Sequence, residues 1–123
     1  MKKVIVAIIF VLHGVAFAQQ SCQEFFTNGI TLKYTDGMKW YGPVLVKKGV
    51  FIEKFGVGHI VIKSEIKWIS DCSFTMTIIG VKGKTSLQKG QSMTMVIDEV
   101  VGTKAYFHYE GDEATKTMFY IKV

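Results

Sequence analysis

From His59 to Ile79 the side chains alternate with a period of two, and that alternation constrains the fold more than any other feature. Ile60, Ile62, Ser64, Ile66 and Trp68 fall on one face of an extended segment. His59, Val61, Lys63, Glu65, Lys67 and Ile69 fall on the other. Ser70-Asp71 interrupts the pattern. It resumes with Cys72, Phe74, Met76 and Ile78 opposite Ser73, Thr75, Thr77 and Ile79. Successive side chains of a strand point to opposite faces, so such a run is a strand with one buried face.

The same reading predicts strands over Gly29–Tyr34, Val50–Phe55, Gln91–Val100, Thr103–Glu110 and Thr115–Val123. Trp40–Val46 is a weaker candidate because Pro43 interrupts it. Turn residues separate the runs at Asp36-Gly37, Lys48-Gly49, Gly56-Val57-Gly58, Gly80 to Gly90, Val101-Gly102 and Gly111-Asp112. No helical period of 3.6 runs over a helical length after residue 18, and residues 19 to 28 have room only for a short turn. The chain is therefore all-β, with about six to eight short strands. Short connections favour an antiparallel meander, and a meander removes exposed edges by closing. A compact or partly closed β-barrel is expected.

The first eighteen residues are a different kind of sequence. Lys2-Lys3 precede an apolar run from Val4 to Leu12, and Ala16-Phe17-Ala18 offers small residues where a signal peptidase cuts. A spanning helix needs about 20 apolar residues, and His13-Gly14 break this stretch. A lipid anchor on Cys22 fits less well, since only Ser21 of the preceding residues suits one. Cleavage after Ala18 is the reading adopted. It predicts a signal peptide at 1–18, one domain at 19–123, no membrane span in the mature chain, and a periplasmic or extracellular location. Removing 18 of 123 residues leaves 105, enough for one small core. Two of the 15 Lys leave with it, so 13 Lys face 10 acids and the net charge is +3. The chain contains no Arg, the usual bidentate partner of phosphate and guanine, and nucleic acid is not expected as a partner.

Cys22 and Cys72 are the only cysteines. In an oxidising compartment an intramolecular disulfide is the simplest pairing, and closing this loop would stabilise the fold by about 4 kcal/mol. The alternative is a buried Cys72 with Cys22 free or paired between molecules. There is no C-x-x-C for redox chemistry.

The segment Lys67-Trp68-Ile69-Ser70-Asp71-Cys72-Ser73-Phe74-Thr75-Met76-Thr77 resembles small, uncharacterised exported bacterial proteins with an early Cys and a central W-x-S-D-C motif. The Asn28-Gly29 turn and the closing aromatic strand are also similar. The resemblance implies a lipocalin-like barrel and brings no reaction, cofactor or catalytic residue. Neither Trp40 nor Trp68 sits in the Gly-x-Trp signature of true lipocalins, and the chain is short for that family.

No catalytic constellation is legible. His59 and His108 lie on separate strands without ligand spacing, so neither they nor Asp71 and Glu110 make an expected metal site. No G-x-S-x-G is present. Asp98-Glu99 are neighbours that a regular strand would send to opposite faces, and Asp112-Glu113 lie in a turn. Gly80-Val81-Lys82-Gly83-Lys84-Thr85 has the wrong glycine spacing for a phosphate loop. The aromatics remain. Phe107 and Phe119 are expected in the core, with Tyr106, His108 and Tyr120 on the second face. Trp40, Trp68, Tyr106 and Tyr120 are the candidate ligand-binding residues, with Met76, Met93 and Met95 able to line a deformable core or pocket. The function expected is a non-enzymatic, monomeric binding protein without cofactor, holding a small apolar ligand. The alternative is an envelope interaction module that uses the aromatic face and the Lys82 to Lys89 loop.

Overall fold

The computed structural model describes residues 21–56 and 59–123; the expected signal peptide lies outside the described residues. A short helix, α1 (Cys22–Phe25), is followed by eight strands: β1 (Thr31–Thr35), β2 (Trp40–Lys47), β3 (Val50–Phe55), β4 (Ile60–Ser70), β5 (Ser73–Lys82), β6 (Ser92–Val101), β7 (Lys104–Tyr109) and β8 (Phe119–Lys122). Each strand pairs antiparallel with the next, and β1 pairs with β8, so the sheet closes into a barrel. The all-β meander expected from the sequence is the observed architecture, and closure is complete rather than partial.

The predicted strands are found within a few residues of their expected ends. Gly80 lies inside β5 rather than opening the following loop. β2 runs through Pro43 because two of its residues, Gly42 and Pro43, stand opposite the single Lys33 of β1. A bulge is where a strand tolerates a residue with no N–H to donate. Gly42 has φ +125°, and a Cβ there would meet the Leu32 carbonyl oxygen at 3.2 Å. Only glycine fits that approach.

The two ends of the barrel differ. Tight turns at 48–49, 71–72 and 102–103 close one end. Longer connections at 83–91 and 110–118, with 36–39, rim the other. The tight-turn end is filled. The residues just before β1 cross it: the Gly29 N–H donates to the Val46 carbonyl at 2.6 Å, and the Lys48 N–H donates to Asn28 Oδ1 at 2.8 Å. These bonds carry α1 and Phe26 into the barrel, and a Cys22–Cys72 disulfide ties α1 to the β4–β5 turn. The intramolecular pairing expected from the sequence is thus present.

Phe26 is the hub of the packed half. Its ring lies 5.0–5.9 Å from those of Phe25, Phe51, Trp68, Phe74 and Tyr120. Cys22, Leu32, Val44, Val46, Met95, Ile97, Ala105 and Phe107 complete this core. The expected split of the last strand is reversed. Tyr120 is buried at 3 % exposure and Phe119 is on the outside, against Trp40 and Tyr106. Register decides this. Tyr120 pairs with Tyr34 and Ala105, both on inward positions, so it shares their face despite its hydroxyl. The hydroxyl donates to Met95 Sδ at 3.8 Å.

Candidate functional site

Above the aromatic plug the barrel is hollow. A cavity of about 490 Å³ opens toward the long loops. β3 contributes Glu53 and Phe55, β4 Ile62 and Ser64, and β5 Met76 and Ile78. Tyr34 from β1 and Tyr109 from β7 stand on the opposite side, with Leu87, Gln91, Ser92 and Met93 at the 83–91 end. The inward phase of β3, β4 and β5 is the one that also supplies Phe51 and Phe74 to the core. The same alternation therefore builds a plug below and a lining above.

Glu53 is the unusual member of the wall. Its Oε2 accepts a hydrogen bond from the Tyr34 hydroxyl at 2.5 Å. Burial disfavours the carboxylate and lifts its pKa from 4.5 to about 7, although the Tyr34 bond pulls the other way. Tyr34 is pushed far above the usual tyrosine range, first by burial and then by the neighbouring Glu53 charge. Burial, with Glu53 next, also raises Tyr109 and Tyr120. The pair is therefore a polar point in a mostly apolar cup, the arrangement by which small-molecule sites fix orientation.

Tyr34 and Tyr109 also border a second space of about 250 Å³, with Asp36, Tyr41, Phe107 and Met118 on its wall. Tyr34 stacks on Tyr41 with centroids 5.1 Å apart. Tyr41 in turn donates to Asp36 Oδ2 at 3.0 Å. The N–H groups of Lys39 and Met38 donate to Asp36 Oδ1 and hold its carboxyl below the ordinary range. This turn fixes one lip of the mouth.

The four ligand-binding candidates are not brought together. Trp40, 57 % exposed, and Tyr106 lie on the outer surface around Phe119. Tyr120 belongs to the plug. Trp68 faces inward but at the filled end, where it lines a space of only about 110 Å³ with Phe26 and Val46. Of the methionines named from the sequence, Met76 and Met93 line the cavity while Met95 is core.

Sequence reasoning did not single out Glu53 or Tyr34. The signal for Glu53 was an acid between Phe51 and Phe55 on one phase of β3, obscured because Val50 and Ile52 make the opposite phase apolar too.

The other ionisable candidates lie apart from the cavity. His59 is exposed in the turn before β4, and Glu110 is exposed beyond β7. His108 faces outward, with Nδ1 2.8 Å from Asp98 Oδ1. Asp98 and Glu99 do not take opposite faces. A register shift after Ile97 leaves both between two inward residues, Ile97 and Val100, and Glu99 meets Lys116 at 3.4 Å. Asp71 stands beside Cys22 and Cys72 within 4.8 Å, but the two sulfurs are bonded to each other and offer no thiolate to a metal. Compared with known protein families, curated proteins and solved structures, the chain shows no match.

Proposed function

We propose that this chain is an exported, non-catalytic binding protein that holds a small, largely apolar ligand in the open half of a lipocalin-like barrel. The carrying observation is the cavity of about 490 Å³, walled mainly by Phe55, Ile62, Met76 and Ile78 and closed beneath by an aromatic plug. That volume lies within the range of ligand pockets, about 300–1,000 Å³. Export is supported by the charged, apolar and small-residue order of residues 1–18 and by a disulfide, which persists in oxidising compartments.

Native mass spectrometry of protein recovered from its own host tests the reading. The expected spectrum shows a chain beginning at Gln19, with one disulfide and a bound small molecule that organic extraction removes. A bare chain that also fails to bind simple aliphatic probes would overturn the binding role. A chain still carrying residues 1–18 in a cell-associated fraction would overturn export.

One observation favours an interaction module as the second reading. Trp40, Phe119 and Tyr106 form a row of aromatic contacts on the outer surface, with Met38 91 % exposed on the adjoining turn. If this row is the working surface, Trp40→Ala abolishes recovery of a defined envelope partner in pull-downs while leaving ligand content unchanged. Ligand content that follows Trp40 would count against it.

A further inference from the structure

The geometry points to a ligand whose apolar body carries one protonated amine, seated with its ammonium against the Glu53 carboxylate and beside the Tyr34 and Tyr109 rings. This rests on the binding role proposed above and narrows the ligand class.

Charge on the wall favours a cation. Among the described residues no Lys lines the cavity, although the chain has 15. Glu53 is the only Asp, Glu, Lys or His among the described residues that does. An anionic ligand would meet an uncompensated like charge there, and a purely aliphatic one would leave the carboxylate further desolvated without a counter-charge.

Among the described residues no cation pairs with Glu53. Among the described residues Lys116 pairs with Glu99, and His108 Nδ1 meets the Asp98 carboxyl, both on the outside of the barrel. The hydrogen bond from Tyr34 engages Oε2 of Glu53. Glu53 itself lines the cavity, so its carboxylate borders the space a ligand would fill.

The neighbouring π surface adds to this. Tyr34 and Tyr109 share the wall with Glu53, and although Tyr34 stacks on Tyr41, aromatic rings beside a carboxylate favour an ammonium over an anion. Removing such a pair from water strengthens it when the hydrogen-bonding geometry is good.

Calorimetric titration of the mature protein with decylamine, decanol and decanoate at pH 8 tests the inference, because the three share one apolar body. The amine is expected to bind about tenfold or more tighter than the alcohol, and decanoate weakest. Among the described residues Tyr34, Tyr109 and Tyr120 are the titratable groups facing Glu53. All three are raised above the usual tyrosine value, so Glu53 is the one that changes charge between pH 5.5 and 8. The amine-to-alcohol ratio should therefore fall as pH drops to 5.5. In Glu53→Gln the ratio should approach one and lose its pH dependence. Should that variant fail to fold, the wild-type ratio and its pH profile decide alone. Equal affinity for amine and alcohol, or a preference for decanoate, overturns the amine while leaving an apolar-ligand protein standing. Binding of none of the three overturns the binding role itself.

Discussion

Glu53 carries a cost that the fold tolerates. Its carboxyl titrates near 7 in the folded chain and near 4.5 when exposed, so between these values the folded state holds more protons than the unfolded state. Stability then falls as pH rises through that window, because the folded chain must ionise a group it has partly desolvated. Glu53→Gln removes the charge and keeps an oxygen for the Tyr34 hydroxyl. It should be more stable than the parent by about 2 kcal/mol at pH 8, discounting for partial solvation, with the gap closing by pH 5. Thermal melts of both proteins across pH 5 to 8 check this, and a constant gap would show that Glu53 is not the titrating group. Phe26 is the contrasting residue, a ring touching five other aromatics in the plug. Phe26→Ala leaves a void that neighbours on fixed strands cannot close, and a loss of about 3–5 kcal/mol in urea unfolding is expected.

Among the elements, the strands were the most legible part of the chain. All eight fall where alternation and turn residues put them, since an extended backbone sends successive side chains to opposite faces and a helix does not. Phase was legible only where the two faces differ. In β4 the polar Lys63, Glu65 and Lys67 mark the outside, and the inward series was read correctly. In β8 both faces are apolar, and hydrophobicity alone favours Phe119 over Tyr120 for the core. Pairing with β1 and β7 overrides that preference. Bulges were not legible, and the one after Ile97 places Asp98 and Glu99 on the same side. The junction of β5 with the 83–91 loop is equally local in its demands. Gly83 has φ +98°, and a Cβ there would overlap the His59 carbonyl oxygen. Gly83→Ala should cost about 1–3 kcal/mol, read as a lower urea midpoint with an unchanged m-value. A neutral outcome would mean that the loop moves freely away from the turn before β4.

At the scale of the molecule, one end of the barrel is secured so that the other can stay hollow. α1, the disulfide and the tight turns gather at the filled end, while the cavity opens among the longer loops. Cys22 and Cys72 are 50 residues apart, and cross-linking a loop of that length restricts the unfolded chain by about 4 kcal/mol in the chain-entropy model. Replacing both cysteines with Ser should lower stability by roughly that amount, measured by urea unfolding against the oxidised parent. Because α1 delivers Phe26, combining this change with Phe26→Ala should cost less than the two separate losses added together. Strict additivity would show that the disulfide and the aromatic hub act independently.

The amino-acid sequence by itself determined the strand pattern, the turn positions, the all-β class and the pair of cysteines available for bonding. Each follows from local stereochemistry or from a count. Only the tertiary structure decided that Glu53 meets Tyr34 on a cavity wall and that Trp40, Trp68, Tyr106 and Tyr120 are dispersed over three environments. Those outcomes depend on which strands become neighbours and in what register. A shift of one residue in pairing exchanges the inside of a barrel for its outside.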